Sequence, residues 1–264
     1  MGATVDSYPA LTADGALIVG VTDGRLLAIA DDRLPCVTAR RAAGGASLAY
    51  SPSRPDAVVA ATTDAPLVGL GVDDGPSARF TPEVLAVLAR HRAQATFFVI
   101  GQNAAAHPEL VADVAAAGHE VAHHTWSHRN LVGRASTEIA DELQLTTSSI
   151  GRAGVEPRRL LRPPRGEQDE VAAEAVCRAG LRTIGWSTNL ERHLDDPEAL
   201  ANRVQPGAII LVHDARGDRT RSIEALDRFL SVLDDRGIRG VGVDELLASG
   251  AACGPPRRTT GCGR

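Results

Sequence analysis

The sequence contains no lysine, so all 28 of its basic residues are arginine. They are outnumbered by 33 acidic residues, which gives a net charge of −5 and a pI near 5.9. Nucleic-acid-binding proteins usually carry a basic excess, so this balance argues against a nucleic-acid partner. We attribute the absence of lysine to the codon usage of a high-GC genome rather than to a requirement for guanidinium groups.

Aromatic residues are scarce at 3%, although 44% of all residues are hydrophobic. The core must therefore be built mainly from Ala, Val, Leu and Ile. A chain of 264 residues with this composition can form one domain, or one domain with an appendage.

Long apolar runs and targeting signals are also missing. No run approaches the ~20 residues that cross a bilayer, so we expect no membrane segment. The N-terminus lacks the basic start and the apolar stretch of a signal peptide. We therefore expect a cytoplasmic protein, or a secreted or cell-wall protein whose leader has been removed.

Cysteine is rare, and the four cysteines show no Cys-x-x-Cys spacing, which argues against a cysteine metal site. Cys177 lies in a helical pattern, and we predict a buried free thiol there. Cys253 and Cys262 flank a stretch rich in Gly, Pro and Arg, and they can close a short disulfide loop in an oxidising compartment.

From residue 67 onward, apolar strand-like runs alternate with amphipathic helical patterns. We predict strands over residues 67–72, 95–100, 120–123, 159–161, 181–186, 208–213 and 238–243. We predict helices over residues 81–91, 108–117, 137–152, 168–179, 197–204 and 222–236. This alternation indicates an α/β protein with a parallel sheet, either open or closed into a barrel. No Gly-x-Gly-x-x-Gly motif follows the first strand, which weakens a dinucleotide-binding interpretation.

The first quarter of the chain has a different pattern. Residues 16–21 and 25–30 flank a Thr-Asp-Gly turn signal and are typical of a β-hairpin, and 57–61 is a further predicted strand. We predict a small N-terminal β extension over 1–65, a barrel over 66–250 and a flexible tail over 251–264.

Polar residues follow the predicted strands directly. They are Asp73, Asp74, His124, His128, Arg162 and His213. In a β/α barrel the carboxyl ends of the strands converge on one face, so we expect these side chains to form one site. One carboxylate and two imidazoles leave coordination positions open on a divalent metal, as catalysis requires. The second aspartate can then serve as a base.

Six motifs occur in order: GVDDGP at 71–76, ATFFVIG at 95–101, GHEV at 118–121, HTWSH at 124–128, LRPP at 161–164 and IILVHD at 209–214. This series resembles the polysaccharide (chitooligosaccharide) deacetylase family, carbohydrate esterase family 4, over about residues 66–248. The resemblance implies a distorted seven-stranded β/α barrel, which agrees with the strand count.

The resemblance also implies the roles of individual residues. A divalent metal, Zn²⁺ or else Co²⁺ or another ion, would be bound by Asp74, His124 and His128. Asp73 would be the general base that activates water, and Arg162 would hold Asp73 in position. His213 would be the general acid that protonates the leaving amine.

Four further residues are implied to bind substrate. Leu211 would line the pocket for the acyl methyl group, with Pro164 and Trp186 nearby. The backbone N–H near Arg165 would help to stabilise the oxyanion. The family usually has an aromatic residue at the position of Arg165, so a cation replaces an aromatic rim and the groove suits an anionic or unusual substrate.

The fourth family motif is altered in this chain. Asn189 stands where the first aspartate of the motif belongs, and Arg192 and His193 stand where Asp-Trp belongs. The carboxylate that would orient His213 is therefore missing in the direct alignment, and Asp195 is the predicted replacement if the loop shifts.

These observations predict a metal-dependent N-deacetylase that acts on N-acetylated amino sugars of a glycan or of a small glycoconjugate. Two alternatives remain open at this point. One is a hydrolase of a non-sugar amide or C–N bond, as in a natural-product intermediate. The other is a catalytically silent glycan-binding barrel. An O-acetyl ester is also a chemically similar substrate.

Overall fold

The computed structural model describes residues 10–11, 16–20, 26–30, 47–51 and 54–249. One sheet is antiparallel, in the order β3-β2-β1-β4-β5. Its strands are β1 (Ala10–Leu11), β2 (Ala16–Gly20), β3 (Leu26–Ala30), β4 (Ser47–Ser51) and β5 (Arg54–Thr62). The pairing of β2 with β3 confirms the predicted hairpin strands. The predicted turn between them lies outside the described residues.

The second sheet has eight strands, and all of its pairs are parallel. They are β6 (Leu67–Asp73), β7 (Thr96–Val99), β8 (Glu120–His123), β9 (Leu160–Leu161), β10 (Arg182–Thr183), β11 (Thr188–Asn189), β12 (Ile209–His213) and β13 (Arg239–Val241). Their order is β10-β9-β8-β7-β6-β12-β11, and β13 pairs with the start of β6. The sheet curls into an incomplete barrel, and the predicted β/α barrel with its seven strands is confirmed. The two-residue β11 is an additional strand.

Helices surround this sheet. They are α1 (Phe80–Arg90), α2 (Gly101–Ala106), α3 (Pro108–Ala116), α4 (Ser136–Arg152), α5 (Glu170–Arg178), α6 (Pro197–Arg203), α7 (Thr220–Asp235) and α8 (Val243–Ala248). All six predicted helices are present, and the six-residue α2 and α8 are additional. Within the described part of the chain, no helix has the length and apolar character needed to span a membrane.

The core lies on both faces of the parallel sheet. On β6, Val68, Leu70 and Val72 join one hydrophobic cluster with Val84 of α1 and Phe229 of α7. The alternate residues of β6 face the inside of the barrel, because successive side chains of a strand point to opposite faces. The helices thus fix the strands from outside, while a second hydrophobic cluster fills the inner face and the polar groups lie at the strand ends.

Strand β5 links the two sheets. Val58 bridges to Ile184 in parallel, and Ala60 bridges to Ala208 in antiparallel orientation. Val58 is fully buried in a cluster with Ile184 and other residues of the barrel interior. The N-terminal region therefore packs directly on the barrel, while its boundary near residue 65 stays a prediction.

The prediction of a buried free thiol at Cys177 is wrong. Cys177 is exposed and disulfide-bonded. Helix α5 buries Ala172, Ala175 and Val176, and this rotation places Cys177 on the outer side of the helix. The other three cysteines lie outside the described residues, so the predicted Cys253–Cys262 pair stays a prediction.

Candidate active site

The structure brings the six polar residues that follow predicted strands together at the carboxyl edge of the sheet. Asp73 is the last residue of β6 and His213 is the last residue of β12, and the two are register partners. Asp74, His124 and Arg162 come directly after β6, β8 and β9. Parallel pairing places all of these strand ends at one edge, which is where sites of β/α folds are built.

Asp74, His124 and His128 form a compact group whose potential ligand atoms all lie within 4.8 Å of one another. Asp74 Oδ1 lies 3.4 Å from His124 Nε2 and 3.2 Å from His128 Nε2. This buried oxygen has no hydrogen-bond partner of good geometry among the described residues. An unsatisfied carboxylate oxygen beside two imidazole nitrogens fits a divalent metal, because such buried acceptors otherwise destabilise a fold.

The surroundings orient these ligands. His124 Nδ1 donates a hydrogen bond to the carbonyl oxygen of Arg162 at 2.7 Å, and this leaves the lone pair of Nε2 on the side of Asp74, available to a metal. The carbonyl oxygen of Asp74 accepts a hydrogen bond from Asn103 Nδ2 at 2.7 Å. Burial by itself raises the pKa of Asp74, but the imidazoles of His124 and His128 outweigh it and lower that pKa well below its ordinary value.

The loops of the site carry backbone strain. Among the described residues other than glycine, those with positive φ are Asp74, Arg92, Thr125, His128, Arg165 and Arg216. All except Arg92 lie in loops that follow strands of the parallel sheet. Such conformations cost free energy and cluster where side chains must be aimed.

Asp73 is held by a buried ion pair. Arg162 NH1 lies 2.6 Å from Asp73 Oδ1, and NH2 donates to the carbonyl oxygen of Gly185 at 3.1 Å. The guanidinium group is fully buried and stacks 4.2 Å above the ring of Phe98. A Cβ atom at Gly71 would overlap this guanidinium, so glycine is required there. Asp73 therefore has a fixed orientation, with its carboxylate beside the potential metal ligands.

His213 is oriented by Glu191, which lies in the short 3₁₀-helix after β11. Glu191 Oε1 lies 3.3 Å from His213 Nδ1 and accepts the backbone N–H of His213 at 3.2 Å. Its other oxygen accepts a hydrogen bond from Ser222 Oγ at 2.8 Å and lies 3.6 Å from Arg219 NH1. Burial lowers the pKa of His213, but Glu191 and the charges of the nearby aspartates outweigh it and raise that pKa.

The sequence analysis did not identify Glu191 as the carboxylate that orients His213. Its predicted replacement, Asp195, is wrong. The side chain of Asp195 is 94% exposed and pairs with Arg221. Asn189 instead caps the turn by accepting the N–H of Glu191 at 2.9 Å. The turn directs the side chain of Glu191, its central residue, towards β12. Glu191 itself was the available signal, as the only acid inside the altered motif.

The four predicted substrate-binding residues lie around the same edge. Leu211 is buried on β12, on the same face of the strand as His213. Pro164 is buried, whereas Arg165 is exposed. Trp186 is half-buried, and its ring centroid lies 5.9 Å from the guanidinium carbon of Arg162.

Two other buried histidines serve the fold. His123 contacts the carbonyl oxygen of Leu160 at 3.2 Å and Thr147 Oγ1 at 2.8 Å. His119 Nδ1 accepts the backbone N–H of Ala95 at 3.3 Å. Burial lowers the pKa of each to about 4, so both are neutral near pH 7. Neither belongs to the group of potential metal ligands.

Comparison with known proteins identifies similar chains. The family model described as polysaccharide deacetylase matches residues 60–184. A chitooligosaccharide deacetylase from Sinorhizobium fredii is 38% identical over 192 residues, which cover 66% of this chain and 89% of the relative. A solved peptidoglycan N-acetylglucosamine deacetylase has a TM-score of 0.67 at 28% identity, covering 72% of this chain and 92% of that one. A solved CE4-family pseudoenzyme from Bacillus anthracis has a TM-score of 0.65 at 26% identity, covering 75% and 73%.

Proposed function

We propose that this chain, which belongs to the polysaccharide deacetylase family, carbohydrate esterase family 4, hydrolyses the N-acetyl groups of N-acetylated amino sugars in a glycan or a small glycoconjugate. The observation that carries the proposal is the arrangement at the sheet edge. Asp73 and His213 are register partners on adjacent strands, beside the group formed by Asp74, His124 and His128.

Asp74, His124 and His128 are the proposed ligands of a divalent ion, and Zn²⁺ is the proposed ion, with Co²⁺ as a substitute. When bound, such an ion would lower the pKa of a coordinated water towards ~7 and polarise the amide carbonyl. The two imidazole nitrogens and one carboxylate oxygen leave room for both water and substrate.

Asp73 is the proposed general base. It takes a proton from the attacking water while the water oxygen bonds to the acetyl carbonyl carbon. The ion pair with Arg162 holds the carboxylate in place for this transfer. A backbone N–H near Arg165 donates to the oxygen that gains negative charge in the tetrahedral state.

His213 is the proposed general acid. It donates a proton to the amide nitrogen as the C–N bond breaks, and the products are acetate and a free amino sugar. Glu191 supports this role because its carboxylate orients the ring and raises the pKa of His213. Leu211 contacts the acetyl methyl group in this proposal, and Pro164 and Trp186 form the adjacent walls.

The catalytically silent barrel is the main competing function, since one solved neighbour is a pseudoenzyme. The intact set of base, acid and potential metal ligands favours an enzyme, because a binding module has no need of all three. A non-sugar amide hydrolase would use the same residues, so a substrate panel must separate it from the proposed function.

The test is acetate release by protein reconstituted with Zn²⁺ or Co²⁺. Substrates are N-acetylglucosamine oligomers, small N-acetylglucosaminyl conjugates and non-sugar acetamides. We expect metal-dependent release from the sugars, and a loss of about 10²- to 10⁴-fold in Asp73→Asn. Stoichiometric metal binding without acetate from any sugar would overturn the proposal and favour one of the alternatives.

A further inference from the structure

The proposed reaction gives no role to the side chains of three arginines at the edge of the site. Arg216 lies three residues after His213, about half exposed, with Nε 3.9 Å from Asp74 Oδ2. Its loop is fastened by Arg219, which donates hydrogen bonds to the carbonyl oxygens of Ala215 at 2.6 Å and Arg216 at 2.9 Å. The fold therefore holds a cation directly beside a potential metal ligand.

The other two arginines lie on loops across the sheet from Arg216. Arg129 directly follows His128, and Arg165 lies in the turn after β9. A hydrogen bond from Asn130 Nδ2 to Glu167 joins these two loops. Both arginines are exposed, and neither side chain makes a hydrogen bond or ion pair with the described residues. We call Arg129, Arg165 and Arg216 the rim arginines.

The charges near Asp74 leave Arg216 available to bind an anion. Of the acids on the surrounding loops, Asp73 pairs with Arg162 and Glu191 with His213. Glu167 and Asp218 accept hydrogen bonds from Asn130 and Thr220 and make no ion pair with a rim arginine. A divalent ion on Asp74 would more than neutralise the one carboxylate that Arg216 faces. Arg216 would then have no carboxylate partner, and Arg129 and Arg165 already make no ion pair with the described residues. Guanidinium groups pair favourably with carboxylates and phosphates, often through two parallel hydrogen bonds.

We propose that the substrate carries a carboxylate or phosphate close to its N-acetyl amino sugar, and that Arg216 binds this acidic group with support from Arg165 and Arg129. This inference rests on the proposed function, since it names the substrate class of the same site. Carboxylate and phosphate both present oxygen atoms with negative charge to the rim arginines. The test distinguishes these two groups.

The experiment compares three substrates of similar size. They are a neutral N-acetylglucosamine disaccharide, a disaccharide that contains N-acetylmuramic acid, and N-acetylglucosamine 6-phosphate conjugated to a second sugar. We expect at least one acidic substrate to have a higher kcat/KM than the neutral one. In Arg216→Gln its KM should rise about tenfold, because a charge-assisted contact is lost at a half-exposed position, while the neutral substrate changes less than about twofold.

The matched control is Arg239→Gln. Arg239 begins β13 at the opposite edge of the sheet and pairs there with Glu245. Its loss should therefore leave the KM of the acidic and the neutral substrates almost unchanged. About 0.5 M salt should reduce the preference for the acidic substrate in the wild type, since exposed charges are then strongly screened. The same salt concentration should have little effect on the substrate preference of Arg216→Gln.

A binding measurement separates this inference from the proposed function. Calorimetry with metal-loaded Asp73→Asn reports sugar affinity without hydrolysis, and we expect tighter binding of the acidic sugar that depends on Arg216. The preferred substrate identifies carboxylate or phosphate as the source of the oxyanion. Acetate release from the neutral substrate, with no preference for either acid in rate or affinity, overturns this inference and leaves the deacetylase function standing.

Discussion

Two buried carboxylates at opposite ends of the parallel sheet have opposite environments. Asp74 follows β6 at the carboxyl edge, and Glu120 begins β8 at the amino edge. Glu120 Oε2 accepts the N–H of Asp244 at 2.9 Å, and Oε1 accepts the N–H of Glu245 at 3.0 Å. Asp74 Oδ1 accepts no hydrogen bond among the described residues. Burial is nearly the same for both, so hydrogen-bond satisfaction is what separates the structural carboxylate of Glu120 from the potential metal ligand Asp74.

Glu120 joins a strand to a helix. It also accepts the hydroxyl of Thr96, whose oxygen in turn accepts the N–H of Val243 at the start of α8. A negative side chain at the start of a helix satisfies free N–H groups and interacts favourably with the helix dipole. A Cβ atom at Gly242 would overlap the carboxylate, so the contact depends on glycine. This carboxylate has no free oxygen to offer a metal.

The largest effect should come from Asp74→Asn. Asparagine tolerates the positive φ of this position but carries no charge, so the backbone should be kept while the ligand is weakened. Metal affinity should fall more than about 100-fold, because losing a group that only orients a ligand already costs about 10- to 100-fold. Metal content after gel filtration measures this change. If Asp74→Asn retained one metal per chain, Asp74 would not be the ligand that distinguishes this edge of the sheet from the edge with Glu120.

Glu120→Ala should lower the stability of the fold and leave metal affinity unchanged. It removes the acceptor for the hydroxyl of Thr96 and for two backbone N–H groups, and we expect a loss of about 3 kcal/mol in the free energy of unfolding. For a chain of this size the melting temperature should fall by about 6 to 12 °C. Thermal unfolding and metal titration together test this, with Glu120→Gln as the milder control. Weakened metal affinity at unchanged stability would contradict the assignment.

Glu191→Gln tests a third carboxylate beside Asp74 and Glu120. Glu191 is well hydrogen-bonded, as Glu120 is, but it contacts the proposed general acid His213. Without its negative charge the pKa of His213 should fall. Protonated His213 is the proton donor, so activity should be lost at lower pH than in the wild type, and kcat/KM near neutrality should drop about tenfold. The pH profile of kcat/KM measures both changes. Asp195→Asn is the matched control and should leave the alkaline limb unmoved.

The smallest effect concerns Asp214, which resembles Asp74 because its Oδ1 is buried without a partner. Burial raises its pKa from 3.8 to about 7, so a proton satisfies this carboxyl where a metal would satisfy Asp74. Between about pH 4 and pH 7 the unfolded chain ionises this group while the folded chain keeps it protonated, so stability falls as pH rises.

Asp214→Asn should remove that part of the pH dependence. Urea unfolding with chelator at about pH 5 and pH 8 should give a smaller stability difference in the variant than in the wild type. Its hydrogen bond from Thr81 is retained by an amide oxygen, so the variant should remain folded. An identical pH slope in both proteins would show that Asp214 is ionised throughout.

The sequence alone determined the alternation of strands and helices and the group of potential metal ligands. Apolar runs with periods of two and 3.6 residues are local signals, and Asp74, His124 and His128 lie next to strand ends that any parallel sheet brings together. The short elements α2, α8 and β11 were missed because six residues or fewer give too little periodicity to detect.

Only the tertiary structure decided which carboxylate serves His213 and which charges surround the metal position. Glu191 reaches β12 because a single 3₁₀ turn reverses the chain, and neither spacing nor composition fixes the direction of such a turn. The contact of Arg216 with Asp74 joins residues 142 positions apart, through a left-handed backbone conformation that the sequence does not mark. Distances between side chains on different loops depend on the packing of the whole barrel, and local sequence patterns do not contain that information.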